Sequence, residues 1–456
     1  MGALLARLKS LLAGGFVRSV GVLVGGSALS QLIMALSLPV VTRLYGPEDF
    51  SVLALFTAIM SIVSVAACLR FDIAVPIPED EVEAVNVLAL ALFFAALVSL
   101  ALAAPVLVAP AAIAAALGRP AVAPYLWLVP ITIFLPAAYS ALQFWAVRHK
   151  AFRPVAVTRV AQATAAAATQ IGLGFAGAAP LGLLIALALN SGAGAIGLLW
   201  HFARRDWKLA GEVSPARMRE AFWQHIRFPK FSALEAVCNS ASIFLPVVLI
   251  AAYAPAAEAG FVMLAMQVMQ APMALIGNAV AQVYMSQAPA EYRAGSLGAF
   301  TARILGGLMR TGVGPLLFAG IVAAPAFAIV FGAEWREAGL LVAWMTPWFV
   351  MQFLASPVSM SLHVTGNQKA ALALQLLGLV LRAGAVAAAI ALAPGHLAQV
   401  YAVSGFVFYA IYVATVLRYV ETPAGDLRRE LARFVPWGAG WITLGIVTVV
   451  LADALL

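Results

Sequence analysis

Long apolar runs separated by short polar, glycine or proline breaks recur along the whole chain. They predict helices near 20–43, 49–75, 83–109, 123–147, 154–177 and 180–203, and again near 231–254, 258–287, 303–331, 337–365, 369–392 and 396–418. One more run lies near 435–455. Runs of about 20 residues match the roughly 30 Å of hydrocarbon that a helix crosses at about 1.5 Å per residue. None shows the ten-residue alternation of barrel strands. The polar stretch from Arg204 to Lys230 places Ser214-Pro215 before Met218, Phe222, Trp223 and Ile226 at helical spacing, which predicts an amphipathic connector.

Composition turns this pattern into a fold class. With 64% hydrophobic and 10% charged residues in 456, and a mean hydropathy of +0.99, the chain carries too little charge to solvate a globular surface. The expectation is an all-α integral membrane protein. Cys68 and Cys238 both fall inside apolar runs and suggest no disulfide. The net charge of +8 follows topology: Arg148, Lys150 and Arg153, then Arg204 to Lys230, then Arg293, then Arg418 to Arg433 occupy alternate turns. By the positive-inside rule these turns and the N-terminus are cytoplasmic, with Arg7 and Lys9 in a short interfacial helix. Charge spread along one leaflet is no nucleic-acid footprint.

The chain also repeats itself. Leu38-Pro39-Val40-Val41 followed by Tyr45-Gly46-Pro47 returns as Leu245-Pro246-Val247-Val248 followed by Tyr253-Ala254-Pro255. Further on, Ala103-Ala104-Pro105 is echoed by Ala323-Ala324-Pro325, and Trp127 with Pro130 by Trp344 with Pro347. Because six spans separate equivalent helices, the repeat is parallel, with its axis along the membrane normal. The expected architecture is two parallel six-helix bundles around a central cavity, at 1–204 and 231–420. A cytoplasmic linker at 205–230 joins them, and a basic turn with an extra hydrophobic helix occupies 421–456.

The stretch Leu38 to Glu83 resembles the first two spans of bacterial oligosaccharide flippases of the Wzx-type polysaccharide transporter family, within the multidrug/oligosaccharidyl-lipid/polysaccharide exporter superfamily. The most specific elements are Arg43 to Phe50 and Leu69-Arg70-Phe71-Asp72. The resemblance implies a bacterial inner membrane protein that moves an undecaprenyl-diphosphate-linked oligosaccharide to the periplasmic leaflet for surface polysaccharide synthesis. Membrane lipid and other polysaccharide-assembly membrane proteins are the implied partners.

A diphosphate crosses hydrocarbon only if cations and hydrogen-bond donors replace its water, and arginine holds phosphate oxygens in a fork. Arg382 lies thirteen residues past Lys369, roughly 20 Å into its span. It reads either as a cavity cation or as a structural arginine. Arg159 and Arg310, about two turns inside their spans, either line a cationic entrance for the diphosphate or snorkel to the interface. Gln375, Gln31, Asn190, Asn239, Gln267 and Gln270 are candidates for a glycan-lining path or for interhelical hydrogen bonds, as is Asn278. Glu235 is the candidate coupling acid or ion-pair partner. Arg43, Arg70 and Asp72 sit at helix ends and suit structure or gating.

The five histidines show no ligand spacing, and no nucleophile and base set or phosphate loop is present. No cofactor or metal is expected, and the chain reads as a transporter. A membrane polysaccharide polymerase or ligase is the alternative enzyme class. A multidrug or organic-cation exporter of the same superfamily is the alternative transporter, for which membrane-depth carboxylates would outnumber arginines.

Overall fold

The computed structural model describes residues 15–455, and every regular element among them is helical. The expected interfacial segment with Arg7 and Lys9 lies outside the described residues, as does the side chain of Asn278. In chain order the principal helices are α1 (Gly15–Leu44), α2 (Pro47–Ala67), α3 (Glu81–Val108), α4 (Leu128–Arg148), α5 (Phe152–Phe175) and α6 (Leu181–Arg205). The short connector α7 (Pro215–Gln224) is followed by α8 (Phe228–Tyr253), α9 (Glu258–Arg293) and α10 (Leu297–Phe331). The chain continues through α11 (Arg336–Val358), α12 (Gln368–Leu392), α13 (Leu397–Tyr419) and α14 (Ala424–Leu455). Among the described residues, 11 helices are long and apolar enough to cross a membrane, α14 included. Large apolar side chains stand on the outside, such as Leu36, Leu100, Ile196 and Val380. That surface suits hydrocarbon and not water.

Several boundaries differ from the hydropathy pattern by five residues or more, and two of them have clear local reasons. The second helix stops at Ala67 instead of running to 75, because Leu69 and Arg70 both take left-handed backbone (φ 48 and 62) before a 3₁₀ turn at Asp72–Ala74. The last apolar run is not a separate element after a basic turn. Arg428, Arg429 and Arg433 belong to the first turns of the 32-residue α14.

The chain divides into two compact units. The first comprises Met1–Tyr45 and Leu55–Ser240. Within it α1 packs along α5, α5 on α6, α3 on α4 and α4 on α6. A close backbone approach is at Gly192, where an added Cβ would lie 2.3 Å from the carbonyl carbon of Leu135. Helix α6 breaks at this point, around Ala193. With its amide oriented to face the break, the buried Gln162 of α5 accepts from the amides of Gly194 (3.1 Å) and Gly192 (3.3 Å). Two buried donors thus share one acceptor. Gln162→Leu is expected to destabilise the protein by about 1–3 kcal/mol, read as a lower thermal midpoint of the purified protein.

The connector α7 belongs to the first unit and docks on α3. Ser214 caps it by accepting from the Arg217 amide (3.3 Å), Phe222 packs against Phe71 and Phe94, and His225 contacts Glu83 at 3.0 Å. Its apolar face is therefore spent on protein, while Trp223 remains exposed.

The second unit comprises Gly46–Ala54 and Ala241–Leu456. Here α10 packs on α11, α12 on α13 and α11 on α13, the same pairings as α3 with α4, α5 with α6 and α4 with α6 in the first unit. Three pairings thus recur between the units, whereas the packing of α1 along α5 has no comparable counterpart between α8 and α12. Phe50 and Phe261 both meet the fully buried Trp335, at ring distances of 4.8 and 6.1 Å. Helix α14 lies on α10, where the indole of Trp441 fills the space left by Gly314.

Candidate functional site

In the first unit, Arg159 lies about two turns into α5 and turns toward α1 and α4. Its Nη1 donates to Ser27 Oγ (2.6 Å) and its Nη2 to Gln143 Oε1 (3.3 Å). Both partners are neutral, and no acid pairs with Arg159 among the described residues. A guanidinium carries five N–H donors, so two bonds leave most of its donating capacity unused. The side chain is partly exposed, and Gln31 follows Ser27 one helical turn later on the same face of α1. The result is a fixed positive charge within a membrane-length helix, oriented by neutral groups and open on one side.

Arg382 is in a different state. It is 0% exposed, and its guanidinium carbon sits 4.6 Å from the ring of Trp348 and 5.1 Å from that of Tyr401, with Phe408 and Tyr409 at 5.9 and 6.0 Å. Nη2 donates to the Tyr401 hydroxyl (2.9 Å), which in turn donates to the Ile243 carbonyl (2.7 Å). Nε has no partner. Arg382 is thus a buried cation boxed by aromatic faces with no carboxylate at hand, and in this structure it opens on no surface. The deep-cation argument passes to Arg159.

Arg310 lies in a π-helical turn of α10, Met309–Val313, and is engaged by α14. Its Nη2 is 3.6 Å from Glu430 Oε2, while Glu430 Oε1 accepts from Arg433 (2.9 Å). The indole of Trp437 donates to the Arg310 carbonyl (2.9 Å), satisfying an acceptor that the π turn frees from the regular ladder. This arginine shares an acid 120 residues further along the chain with Arg433.

The remaining candidates stay dispersed. Glu235 is partly exposed and forms no ion pair or side-chain hydrogen bond among the described residues. Gln31, Asn190, Asn239 and Gln270 are exposed, Gln375 is partly exposed, and Gln267 has a buried Oε1 without a partner. Asp72 accepts from Ser140 (2.6 Å) and not from Arg70, whose Nε has no hydrogen-bond partner. Arg43 is exposed at the end of α1. Two hydrogen-bond partners of the candidate arginines escape sequence reading, Gln143 beside Arg159 and Tyr401 beside Arg382. A polar or hydroxylated residue inside an apolar run is the only signal either gives.

The sequence model of a family described as "Polysaccharide biosynthesis protein" matches residues 40–339. Among solved structures, the lipid II flippase MurJ in an inward closed conformation is similar with a TM-score of 0.70 and 13% identity, covering 95% of this chain and 98% of that one. An inward-facing multidrug resistance MATE family transporter of the MOP superfamily gives a TM-score of 0.67 and 16% identity, covering 86% and 94%. An outward-facing MATE transporter gives 0.53 and 15%, covering 92% and 98%. At these identities the likeness is one of fold. No curated protein matches the chain.

Proposed function

Since the chain belongs to the polysaccharide biosynthesis protein family, we propose that it is a flippase carrying a polyprenyl-diphosphate-linked oligosaccharide from the cytoplasmic to the outer leaflet of a bacterial inner membrane by alternating access. It is a multi-pass membrane protein with the fold shared by MATE transporters and a lipid flippase. The observation that carries the proposed cargo is Arg159, a cation about two turns into the 24-residue α5, held among the described residues by the neutral Ser27 and Gln143 and partly exposed. An anionic headgroup supplies the counter-charge this site lacks, and bidentate contact replaces part of the water it sheds. Neutral polar groups nearby, Ser27, Gln31 and Gln143, suit sugar hydroxyls.

The exporter reading has one feature in its favour, the unpaired Glu235 in α8. A carboxylate attracts an organic cation, whereas Arg159 repels it. Deleting the gene separates the two readings. Loss of surface glycan with accumulation of its lipid-linked precursor, at unchanged drug tolerance, is the expected result. Altered drug tolerance with normal surface glycan would overturn it.

A further inference from the structure

A second cationic feature, lined by none of Arg159, Ser27 and Gln143, lies at the basic end of the first unit. A pocket of about 650 Å³ is lined by Val22, Lys150, Phe152, Arg153, His201 and Arg205. No carboxylate lines it. The acid next to Arg205 in sequence is engaged elsewhere, since Asp206 accepts from the Trp145 indole (2.9 Å), and Glu81 is held by Arg148 (3.2 Å). Lys150, Arg153 and Arg205 form no ion pair or side-chain hydrogen bond among the described residues. The N-terminus of α5 opens into the same pocket, and its cap residue Ala151 has no side-chain acceptor for the first-turn amides. Such amides bind anions together with the helix dipole.

Lys150 holds its place at a cost. The Lys150 amide donates to Val147 (2.9 Å) and the Ala151 amide to Ala146 (2.8 Å), the two bonds of a helix end that normally calls for glycine. Of four other ends closed by the same pair of bonds, three have glycine at this position, Gly118, Gly177 and Gly295, and one has Glu421. Lys150 is there instead, at φ 54. A strained non-glycine residue pointing a charge at a pocket suggests function.

Val22 also borders an apolar groove of about 740 Å³ between α1 and α5, walled by Gly26, Val157, Ala161, Ala165 and Ala168. From Ala156 to Ala168 the groove follows α5 for about 18 Å at 1.5 Å per residue. Its walls are small or apolar side chains along this length. Three fixed cations exceed what a singly charged phospholipid headgroup balances and suit a diphosphate, and the apolar groove beside them suits a prenyl chain.

We propose that this continuous surface docks a polyprenyl diphosphate lipid, with the diphosphate in the Lys150, Arg153 and Arg205 pocket and the prenyl chain along the α1 and α5 groove. The proposal rests on the flippase reading and adds to it a peripheral collection site for the cargo lipid. Undecaprenyl diphosphate binding to the detergent-purified full-length protein is followed by native mass spectrometry in an Arg159→Ala and Arg382→Met background, which removes both other arginines argued to meet the diphosphate. Near an anionic partner each cation contributes about fivefold in affinity, so Lys150→Gln with Arg153→Gln and Arg205→Gln is expected to bind on the order of 100-fold more weakly. Lys150→Gly is expected to bind about fivefold more weakly while melting at or above the parent temperature, which separates ligand loss from misfolding. Ala161→Trp with Ala165→Trp is expected to weaken the lipid while leaving inorganic pyrophosphate binding unchanged. Unchanged binding by the triple variant, displacement of the probe by an equal concentration of cardiolipin, or equal binding of lipid and pyrophosphate would each overturn the proposal. The gene-deletion phenotype does not enter these readouts, so the docking site and the transport function fail or stand separately.

Discussion

Arg159→Ala is expected to abolish export of surface polysaccharide while the protein still inserts and melts close to the parent temperature. The side chain's hydrogen bonds in this structure go to Ser27 and Gln143, both neutral and partly exposed, so their removal costs about 1 kcal/mol or less. Losing a charge-assisted fork to a desolvated diphosphate costs far more, about 2–5 kcal/mol, which corresponds to roughly 30-fold to several thousandfold in affinity. Stability and export are therefore expected to separate. Arg159→Lys restores the charge without the planar fork, and partial export is expected of it. The comparison requires surface glycan quantified in cells that express each variant at the same membrane level. Full export by Arg159→Ala would remove this residue from the cargo path and leave the anionic cargo without its structural support.

Helix number and most helix limits are legible in the sequence because they depend on local apolar content alone. The end of α2 is not, since Leu69 and Arg70 carry no glycine or proline to announce a left-handed turn. Nor is the start of α14, whose arginines look like a solvated turn until Glu430 is seen bridging Arg310 and Arg433. The repeat is legible as a motif but not in its consequences. Tyr45 is buried and donates to the Gln170 carbonyl (2.7 Å), whereas its counterpart Tyr253 is exposed. The candidate arginines were identifiable by depth, yet depth does not distinguish their states. What separates Arg159, Arg310 and Arg382 is the chemistry of partners on other helices: neutral groups for the first, a carboxylate for the second and aromatic rings for the third. Such partners lie up to 132 residues away in the chain, as Ser27 does from Arg159.

Replacing Arg382 with an apolar side chain of similar length offers the sharpest contrast with Arg159. In this structure the guanidinium has one hydrogen bond, to Tyr401, and two rings well inside the 6 Å range of a cation–π contact, with two more at its limit. Each close ring contributes about 2 kcal/mol or more when desolvated. Against this stand several kcal/mol for burying the ion and about 1–3 kcal/mol for the unpartnered Nε. The sum does not favour arginine in this conformation, so Arg382→Met, which keeps the box filled, is expected to melt at or above the parent temperature. Arg382→Ala leaves a cavity among four rings and is expected to lose about 2–5 kcal/mol. An arginine that contributes nothing to the closed box is retained if another conformation of the transport cycle opens the box and the cation meets the diphosphate there. On that argument Arg382→Met is expected to lose export at least about tenfold, a difference of about 1.4 kcal/mol, despite its stability. Full export by a stable Arg382→Met protein would make residue 382 a packing position and confine the cargo's charge contacts to the first unit.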